Sequence, residues 1–254
     1  THTDSSAASD VYKRQPDEYT PSVLERIDRR LGRDGIKNAS ENVGSGYDVW
    51  HCYELSWTLP DGVVTFTAGA LIVPADSPFT VESKSLKLYL NSLNAHFFKN
   101  DEEAIACIEK DLSELTQSQV KLVRIDPDEV QAMSSELGDD AVRVGGLDTT
   151  VAFRCTGFRS LCPVTAQPDW ASLCVEVSAA DYDESSIIEA IESLRNHQGF
   201  HEQCVEDLYS RIENALNPSE LHVVGFFQRR GGIDITPWRS SISSAPRITR
   251  LFEQ

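Results

Sequence analysis

The sequence predicts an α+β fold in which one β-β-α-α-type unit occurs twice. The chain has 254 residues, of which 40% are hydrophobic and 25% charged, so it can bury a substantial core in one large domain or two smaller halves. Strand-like and helix-like stretches alternate along it, and the order of these stretches repeats. We therefore expect two related halves.

The first half begins with a strand and continues with two helices and another strand. The stretch "GVVTFTAGALIVP" (62–74) is rich in β-branched residues and alternates in part, as a half-buried strand does. The helical stretches are 82–93 and 101–115; the second has an acidic first turn and apolar residues at helical spacing. The stretch "VKLVRI" (120–125) predicts the closing strand.

The second half has the same order of elements. "SLCVEVS" (172–178) predicts a strand, the stretches 185–197 and 200–216 predict two helices, and "LHVVGFFQRR" (221–230) predicts the next strand. "SLNAH" (92–96) also matches "SLRNH" (193–197), which supports a duplication.

A second short match bears on where the chemistry lies. Pro60-Asp61 precedes the first strand as Pro168-Asp169 precedes the later one. This alignment puts Glu54 where the second half has Cys162, so a duplicated site would keep its thiol in one copy only.

Four segments follow from this organisation. Residues 1–15, "THTDSSAASDVYKRQ", have no initiator Met, apolar run or periodic pattern, and we expect a non-native tail that replaces the natural N-terminus. The first half is expected at 16–126 and the second at 151–254. The acidic, glycine-containing stretch 127–150 is expected to connect them.

Charge and cysteine content exclude several classes of protein. The net charge of −17 repels nucleic acid and anionic membranes, and no apolar run approaches the roughly 20 residues of a membrane span. The six cysteines form no C-x-x-C pair and are too sparse for a disulfide scaffold. We expect a cytoplasmic protein with reduced thiols. Cys107, Cys174 and Cys204 have the pattern of core residues, and Cys52 and Cys155 are undecided.

Cys162 differs from the other cysteines because Pro163 ends any strand there and polar loop residues come next. It is either a small buried residue or a nucleophile with Asp169 as its proton partner. If the electrophile is a nitrile, one carboxylate can take the thiol proton and give it to the nitrogen. That role requires an apolar wall beside the carboxyl group, which we expect from Trp170. The alternative for Asp169 is a turn residue after Pro168.

Four motifs follow one another along the chain: "ESKSLKLYLNS" (82–92), "SLCPVTAQPDW" (160–170), "FHEQCVEDL" (200–208) and "RRGGIDITPWR" (229–239). In this order they resemble the motifs of the QueF family of NADPH-dependent 7-cyano-7-deazaguanine reductases, relatives of GTP cyclohydrolase I. The resemblance runs from about Tyr47 to the C-terminus and is to the two-halved branch. It implies two tandem tunnelling-fold (T-fold) halves, with antiparallel sheets and helices on one face.

The resemblance also implies a role for each matching residue. Cys162 matches the nucleophile that forms a covalent thioimide with the nitrile, and Asp169 matches the proton donor. The residues that match the substrate site are Val81, Glu82, Ser83, His201 and Glu202. The residues that match the NADPH contacts are Ser83, Lys84, Arg230 and Gly231. No metal is implied.

Elementary chemistry fits these roles but leaves other interpretations open. A carboxylate such as Glu202 can accept two N–H groups from a guanine-like edge, or it can be a solvated residue in a first helical turn. "RRGG" can bind phosphate, or it can be a strand end before a turn. Lys84 and Lys87 can contact a cofactor or form a solvated face. No G-x-G-x-x-G motif follows a strand, so a Rossmann site is not expected.

The resemblance implies reduction of 7-cyano-7-deazaguanine in queuosine biosynthesis, by a homodimer that binds neither nucleic acid nor membrane. Three alternatives remain. A relative of the same fold can transfer an amino group through the thioimide, although "RRGG" and "ESKS" favour reduction. A zinc cyclohydrolase needs converging ligands, for which His201 and Cys204 are a weak signal. An inactive purine-binding protein has no need of Cys162 together with Asp169.

Overall fold

The structure is a computed structural model that describes residues 14–126, 142–145, 148–242 and 246–254. Most of the expected tail at 1–15 and of the expected connector at 127–150 therefore lies outside the described residues. Within the connector range, one strand occupies Val142–Gly145, and the first long strand of the second half begins at Asp148. The boundaries of the halves stay a prediction.

Ten strands and five helices make up the described fold. The strands are β1 Arg26–Asp28, β2 Gly46–Thr58, β3 Val64–Pro74, β4 Phe79–Val81, β5 Lys121–Arg124, β6 Val142–Gly145, β7 Asp148–Leu161, β8 Pro168–Ala179, β9 Glu220–Phe227 and β10 Ile233–Ser240. The helices are α1 Arg30–Arg33, α2 Ser83–Ser92, α3 Asp101–Thr116, α4 Glu184–Ser193 and α5 His201–Leu216. Short 3₁₀ helices lie at Pro21–Val23 and Glu41–Gly44.

Eight strands form one sheet in the order β5-β3-β2-β10-β9-β8-β7-β6, and every pair in it is antiparallel. The halves meet where β10 pairs with β2 from Ile233↔Cys52 to Arg239↔Gly46. Strands β1 and β4 form a separate ribbon. The sheet therefore runs without interruption from one half into the other.

The helices cover one face of this sheet. Leu122, Leu71, Trp50 and Ile235 lie side by side across four strands and share a buried cluster with α2 and α3. A second cluster packs β7, β8 and β9 against α4 and α5. The predicted fold class is confirmed: α+β, with antiparallel strands and helices on one face in two tandem halves.

The predicted elements are all present with small shifts, but the sequence did not reveal the short strands β1, β4 and β6 or the longer strands β2, β7 and β10. Strands β2 and β7 each contain an irregularity in pairing, between Cys52 and Leu55 and between Cys155 and Phe158. Such a bulge reverses the inward–outward alternation partway along a strand. Neither strand therefore has the simple period-2 pattern that marks a strand in a sequence.

The two halves share a hydrogen-bonding detail that corrects the sequence alignment. Thr58 ends β2 and donates its N–H to the His96 carbonyl at 3.0 Å, whereas Leu161 ends β7 and donates to the His197 carbonyl at 2.9 Å. The residue after each is Leu59 in the first half and Cys162 in the second. Glu54 is therefore not the counterpart of Cys162, because it lies within β2 rather than after it.

All six cysteines are free thiols, as expected. Cys204 is buried, and its burial raises its pKa to about 12. Cys107 and Cys174 are only partly buried, so the core assignment holds for Cys204 and is too strong for these two. Among the described helices none is long and apolar enough to cross a bilayer.

A buried ion network joins the halves beneath the helices. Asp48 of β2 binds Arg29 at 2.5 Å and Arg239 of β10 at 2.8 Å. Glu206 of α5 binds Arg239 and Arg33, each at 2.7 Å. Burial alone would raise the pKa of Asp48, but the guanidinium groups of Arg239 and Arg29 outweigh it and hold that pKa below its ordinary value.

Candidate active site

A cavity of about 390 Å³ lies at the junction between the halves. The first half supplies the N-terminus of α2, and the second half supplies the β7–β8 turn and the N-terminus of α5. The predicted residues that line it are Val81, Glu82, Ser83, Lys84, Cys162, Asp169, His201, Glu202 and Arg230. Of the predicted site residues, Gly231 alone lies beside the cavity rather than in its lining.

Cys162 lies in the tight turn that joins β7 to β8. Its N–H donates to the Gln167 carbonyl, and its own carbonyl accepts from the Ala166 N–H, both at 2.9 Å. Ala166 adopts a left-handed conformation with φ of 56° to close the turn. The turn leaves the thiol partly exposed in the cavity lining, and Pro163 comes after the end of the strand as predicted.

Asp169 lies at the start of β8 and is only 6% exposed. Its Oδ1 is 2.9 Å from Arg230 Nη1, and its Oδ2 is 3.5 Å from His201 Nε2. Trp170 does not provide the expected wall, because successive side chains in a strand point to opposite faces. The Trp170 side chain is 36% exposed and outside the cavity. The His201 ring, stacked on Phe227 at 4.1 Å, lies beside the carboxylate instead.

Glu202 lies in the first turn of α5 and is 4% exposed, so it is not the solvated residue that its position in a helix allows. Its Oε1 accepts a hydrogen bond of 2.8 Å from the Thr80 hydroxyl. Burial raises the pKa of Glu202; the negative charge of Asp48 adds to this effect, and Arg29 opposes it. A carboxyl group held in this way can accept N–H donors from a bound ligand.

Glu82 caps the N-terminus of α2. Its Oε1 accepts from the Lys84 N–H at 2.9 Å, and its Oε2 accepts from the Ser85 N–H at 2.7 Å. The Ser85 hydroxyl donates to the Glu82 carbonyl at 2.7 Å. Each carboxylate oxygen keeps a further acceptor site beyond its bond to the cap, and Glu82 lines the cavity together with Val81 and Ser83.

Basic side chains collect at one side of the cavity. Lys84, Lys87 and Arg230 all line it, and burial lowers the pKa of Lys87. Gly231 has a positive φ of 58°, and a Cβ atom there would lie 3.2 Å from Lys87 Cδ. Arg229, the other arginine of the motif, instead pairs with Glu54 and lies 4.3 Å over the Tyr53 ring.

Sequence reasoning missed part of the lining. Trp50 of β2 and Ile233 and Ile235 of β10 form apolar wall, and Thr80 contacts Glu202 from β4. These residues join the site through strand pairing over long sequence separations, and no local pattern marks them. Within the described ranges no three His, Cys, Asp or Glu side chains converge as a metal site would require.

The fold and this cavity define a class of protein: an α+β protein of two related halves, with a cavity of the size of a small-molecule site between them and a cysteine in its lining. The particular family follows from comparison with known proteins. A family described as nitrile reductase, 7-cyano-7-deazaguanine-reductase N-terminal matches residues 15–124, and one described as QueF-like protein matches residues 168–246.

Curated relatives cover almost the whole chain. The NADPH-dependent 7-cyano-7-deazaguanine reductase of Acinetobacter baylyi is 38% identical over 260 residues, which cover 94% of this chain and 95% of that protein. The protein of the same name from Psychrobacter cryohalolentis is 36% identical over 272 residues, with the same coverage. The chain belongs to the 7-cyano-7-deazaguanine reductase family.

Among solved structures, the apo archaeosine synthase QueF-Like aligns with 38% of this chain and 96% of its own, at 21% identity and a TM-score of 0.35.

Proposed function

We propose that this protein reduces the nitrile of 7-cyano-7-deazaguanine to the aminomethyl group, with NADPH, in queuosine biosynthesis. One observation carries the proposal: Cys162, Asp169 and Glu202 share one cavity with the basic side chains of Lys84 and Arg230. These are the groups that a nitrile on a guanine-like ring and an anionic cofactor require. Two relatives that carry the name of this activity match 94% of the chain.

Glu202 is the proposed recognition group. A guanine-like ring presents two N–H groups on one edge, and a carboxylate can accept both in parallel. The backbone of Val81 to Ser83 offers further polar groups from the opposite half. Trp50 and Ile235 supply apolar wall for the ring faces.

Cys162 is the proposed nucleophile. Its sulfur bonds to the nitrile carbon, one carbon–nitrogen π bond breaks, and the thiol proton passes to the nitrogen, which gives a thioimide. We assign Asp169 to take that proton and return it, because its buried carboxylate lines the same cavity as Cys162 and is held there by Arg230 and His201. Loss of the sulfur after the first reduction restores Cys162.

When bound, NADPH would supply the reducing hydrides, one from each of two successive molecules. The residues present fit its phosphates: Lys84, Lys87 and Arg230 provide positive charge on an otherwise acidic chain. Gly231 has a positive φ, and the missing Cβ lets the Lys87 side chain pack against this turn, so that its charge stays close to the Gly231 backbone. Ser83, Lys84, Arg230 and Gly231 are the proposed contacts.

Assembly and location extend the same proposal. We propose a cytoplasmic homodimer that binds no nucleic acid. Phe66 on β3 and Val123 on the edge strand β5 are 70% and 42% exposed, which is apolar surface that a second copy can cover. Sedimentation of the purified chain should give twice the monomer mass, and a monomer at every concentration would reject this part.

The activity is tested by weighing the intact protein after incubation with 7-cyano-7-deazaguanine in the absence of NADPH. The expected result is an adduct of the nitrile's full mass that is absent in Cys162→Ala. Addition of NADPH should then remove the adduct and consume two equivalents for each nitrile.

Other outcomes of this experiment would reject the assigned nucleophile or favour a different function. An adduct that persists in Cys162→Ala rejects the assigned nucleophile. An adduct that forms normally but consumes no NADPH favours transfer of an amino group, and absence of both supports an inactive binding protein.

A further inference from the structure

The buried carboxyl group of Glu202 has a partner that its proposed role does not explain. Thr80 Oγ1 lies 2.8 Å from Glu202 Oε1, and both side chains are 4% exposed. Thr80 lies on β4 of the first half, where its backbone pairs with Ile27 of β1. Glu202 begins α5 of the second half. The contact therefore joins the halves behind the part of the cavity wall that Glu202 forms.

We infer that Thr80 is a positioning residue that sets the selectivity of the site for a ring bearing an exocyclic amine. The inference rests on the proposed recognition role of Glu202. A carboxylate side chain can rotate about its last bond, and only one rotation presents both oxygens to a flat ligand edge. A hydroxyl bound to Oε1 from the protein side fixes that rotation and leaves acceptor sites on both oxygens for the ligand.

The same hydrogen bond also bears on the charge of Glu202. Burial favours the neutral form of this carboxyl group, and a protonated carboxyl loses one of its acceptor sites. A hydroxyl that donates to the carboxylate favours the charged form. Thr80 thus supports the form that can accept two N–H groups.

Other charged groups also face Glu202 and stay unchanged in the test. Asp48 of β2 and Arg29 after β1 act on it from the first half, with opposite signs. His201 precedes it on α5, Cys204 lies half a turn on, and Glu206 lies one turn on. A change confined to Thr80 leaves this set of charges in place.

The experiment measures equilibrium binding of 7-deazaguanine and 7-deazahypoxanthine, which lack the nitrile and so report recognition without the reaction at Cys162. The variants are Thr80→Val, which keeps the shape and removes the hydroxyl, and Thr80→Ser, which keeps the hydroxyl. We expect Thr80→Val to weaken the binding of 7-deazaguanine about tenfold, which corresponds to about 1.4 kcal/mol. The binding of 7-deazahypoxanthine, which lacks the exocyclic amine, should weaken less. Thr80→Ser should stay within about threefold of the parent protein for both.

A pH series separates positioning from simple packing. Binding of 7-deazaguanine falls as pH drops through the pKa of Glu202, because the protonated carboxyl group can accept fewer hydrogen bonds from the ligand. Loss of the Thr80 hydroxyl as a donor raises that pKa further. The pH at which binding is lost should therefore be higher in Thr80→Val and unchanged in Thr80→Ser. If Thr80→Val does not melt cooperatively, Thr80→Ala carries the same expectations.

The inference and the proposed function fail in different ways. An unchanged ratio between the two ligands and an unchanged pH of binding loss in a folded Thr80→Val protein would overturn the role of Thr80, whether or not the parent protein reduces the nitrile. A parent protein that binds 7-deazaguanine selectively but reduces no nitrile would instead overturn the proposed function alone.

Discussion

The two halves of the molecule share a scaffold and differ in the residues that come directly after each long strand. In both, the strand bulges at the same place and its last residue bonds to a carbonyl ahead of the second helix. The first half then has Leu59 and a helix that begins at Asp101. The second half has Cys162 and a helix that begins at His201.

The residues at these equivalent positions serve different purposes. Asp101 Oδ1 accepts from the Trp57 indole at 2.9 Å and from Thr65 at 3.1 Å, and its Oδ2 binds Arg124 at 3.0 Å. His201 instead stacks on Phe227 and faces a cavity. The position in the first half therefore has a structural role, and the equivalent position in the second half belongs to the candidate active site. A duplicated fold therefore supplies two positions, and local substitutions decide which one reacts.

The largest expected difference between the halves is in reactivity. Cys162→Ala should lower nitrile reduction by about a thousandfold or more, since it removes the proposed nucleophile. Leu59→Ala, the matched change in the first half, should leave the rate within about twofold and lower only stability. Both rates are measured from NADPH consumption.

A transplanted thiol tests the comparison from the other side. The double variant Cys162→Ala, Leu59→Cys should form no nitrile adduct, because Glu102, the first-half counterpart of the buried Glu202, is exposed. Adduct formation at position 59 would show that the two positions remain interchangeable.

The next effect concerns the ion network that joins the halves. Asp48→Asn leaves Arg29 and Arg239 without their shared carboxylate, and we expect it to lower the free energy of unfolding by about 3–5 kcal/mol in urea titrations. The ion pair of the exposed Arg30 with the partly buried Asp28 is the control, and Arg30→Ala should leave the unfolding midpoint nearly unchanged. Equal midpoints for Asp48→Asn and the parent protein would contradict the role of the network.

The pH dependence of this contribution has a definite sign. Asp48 has a lower pKa in the folded than in the unfolded protein, so its stabilisation is fully present above the unfolded value of about 4. It is lost as pH falls through the folded value. Acid should therefore destabilise the parent protein more than Asp48→Asn.

The smallest expected effects distinguish the first residues of α3 and α5, Asp101 and His201. Asp101→Ala removes the acceptor for the buried Trp57 indole and should lower stability by about 1–3 kcal/mol without slowing reduction. His201→Ala should show the reverse, with little change in stability and a rate lowered by up to roughly a hundredfold through displacement of Asp169. Thermal melts and single-turnover rates measure the pair; a slower reaction in Asp101→Ala would contradict the division of roles.

Local patterns predicted much of this molecule, and long-range contacts account for the features that they missed. Proline and polar residues after Leu161 identified the loop that carries Cys162, and amphipathic spacing identified the helices. The pairing of Asp48 with Arg239 spans 191 residues, so nothing near either residue indicates it. The placement of Trp170 was wrong because Asp169 lies in a strand rather than in a turn, and a strand separates sequence neighbours onto opposite faces.

The pairing of β10 with β2 has a consequence for biosynthesis. Asp234 lies 183 residues after His51, its partner in the register, so the sheet closes through one of the longest loops available to this chain. During translation one edge of β2 stays unpaired until β10, which ends at Ser240, has left the ribosome and can pair with it. The cavity at that junction exists only afterwards. Newly made chains should thus acquire ligand binding as a late event that chaperones can delay.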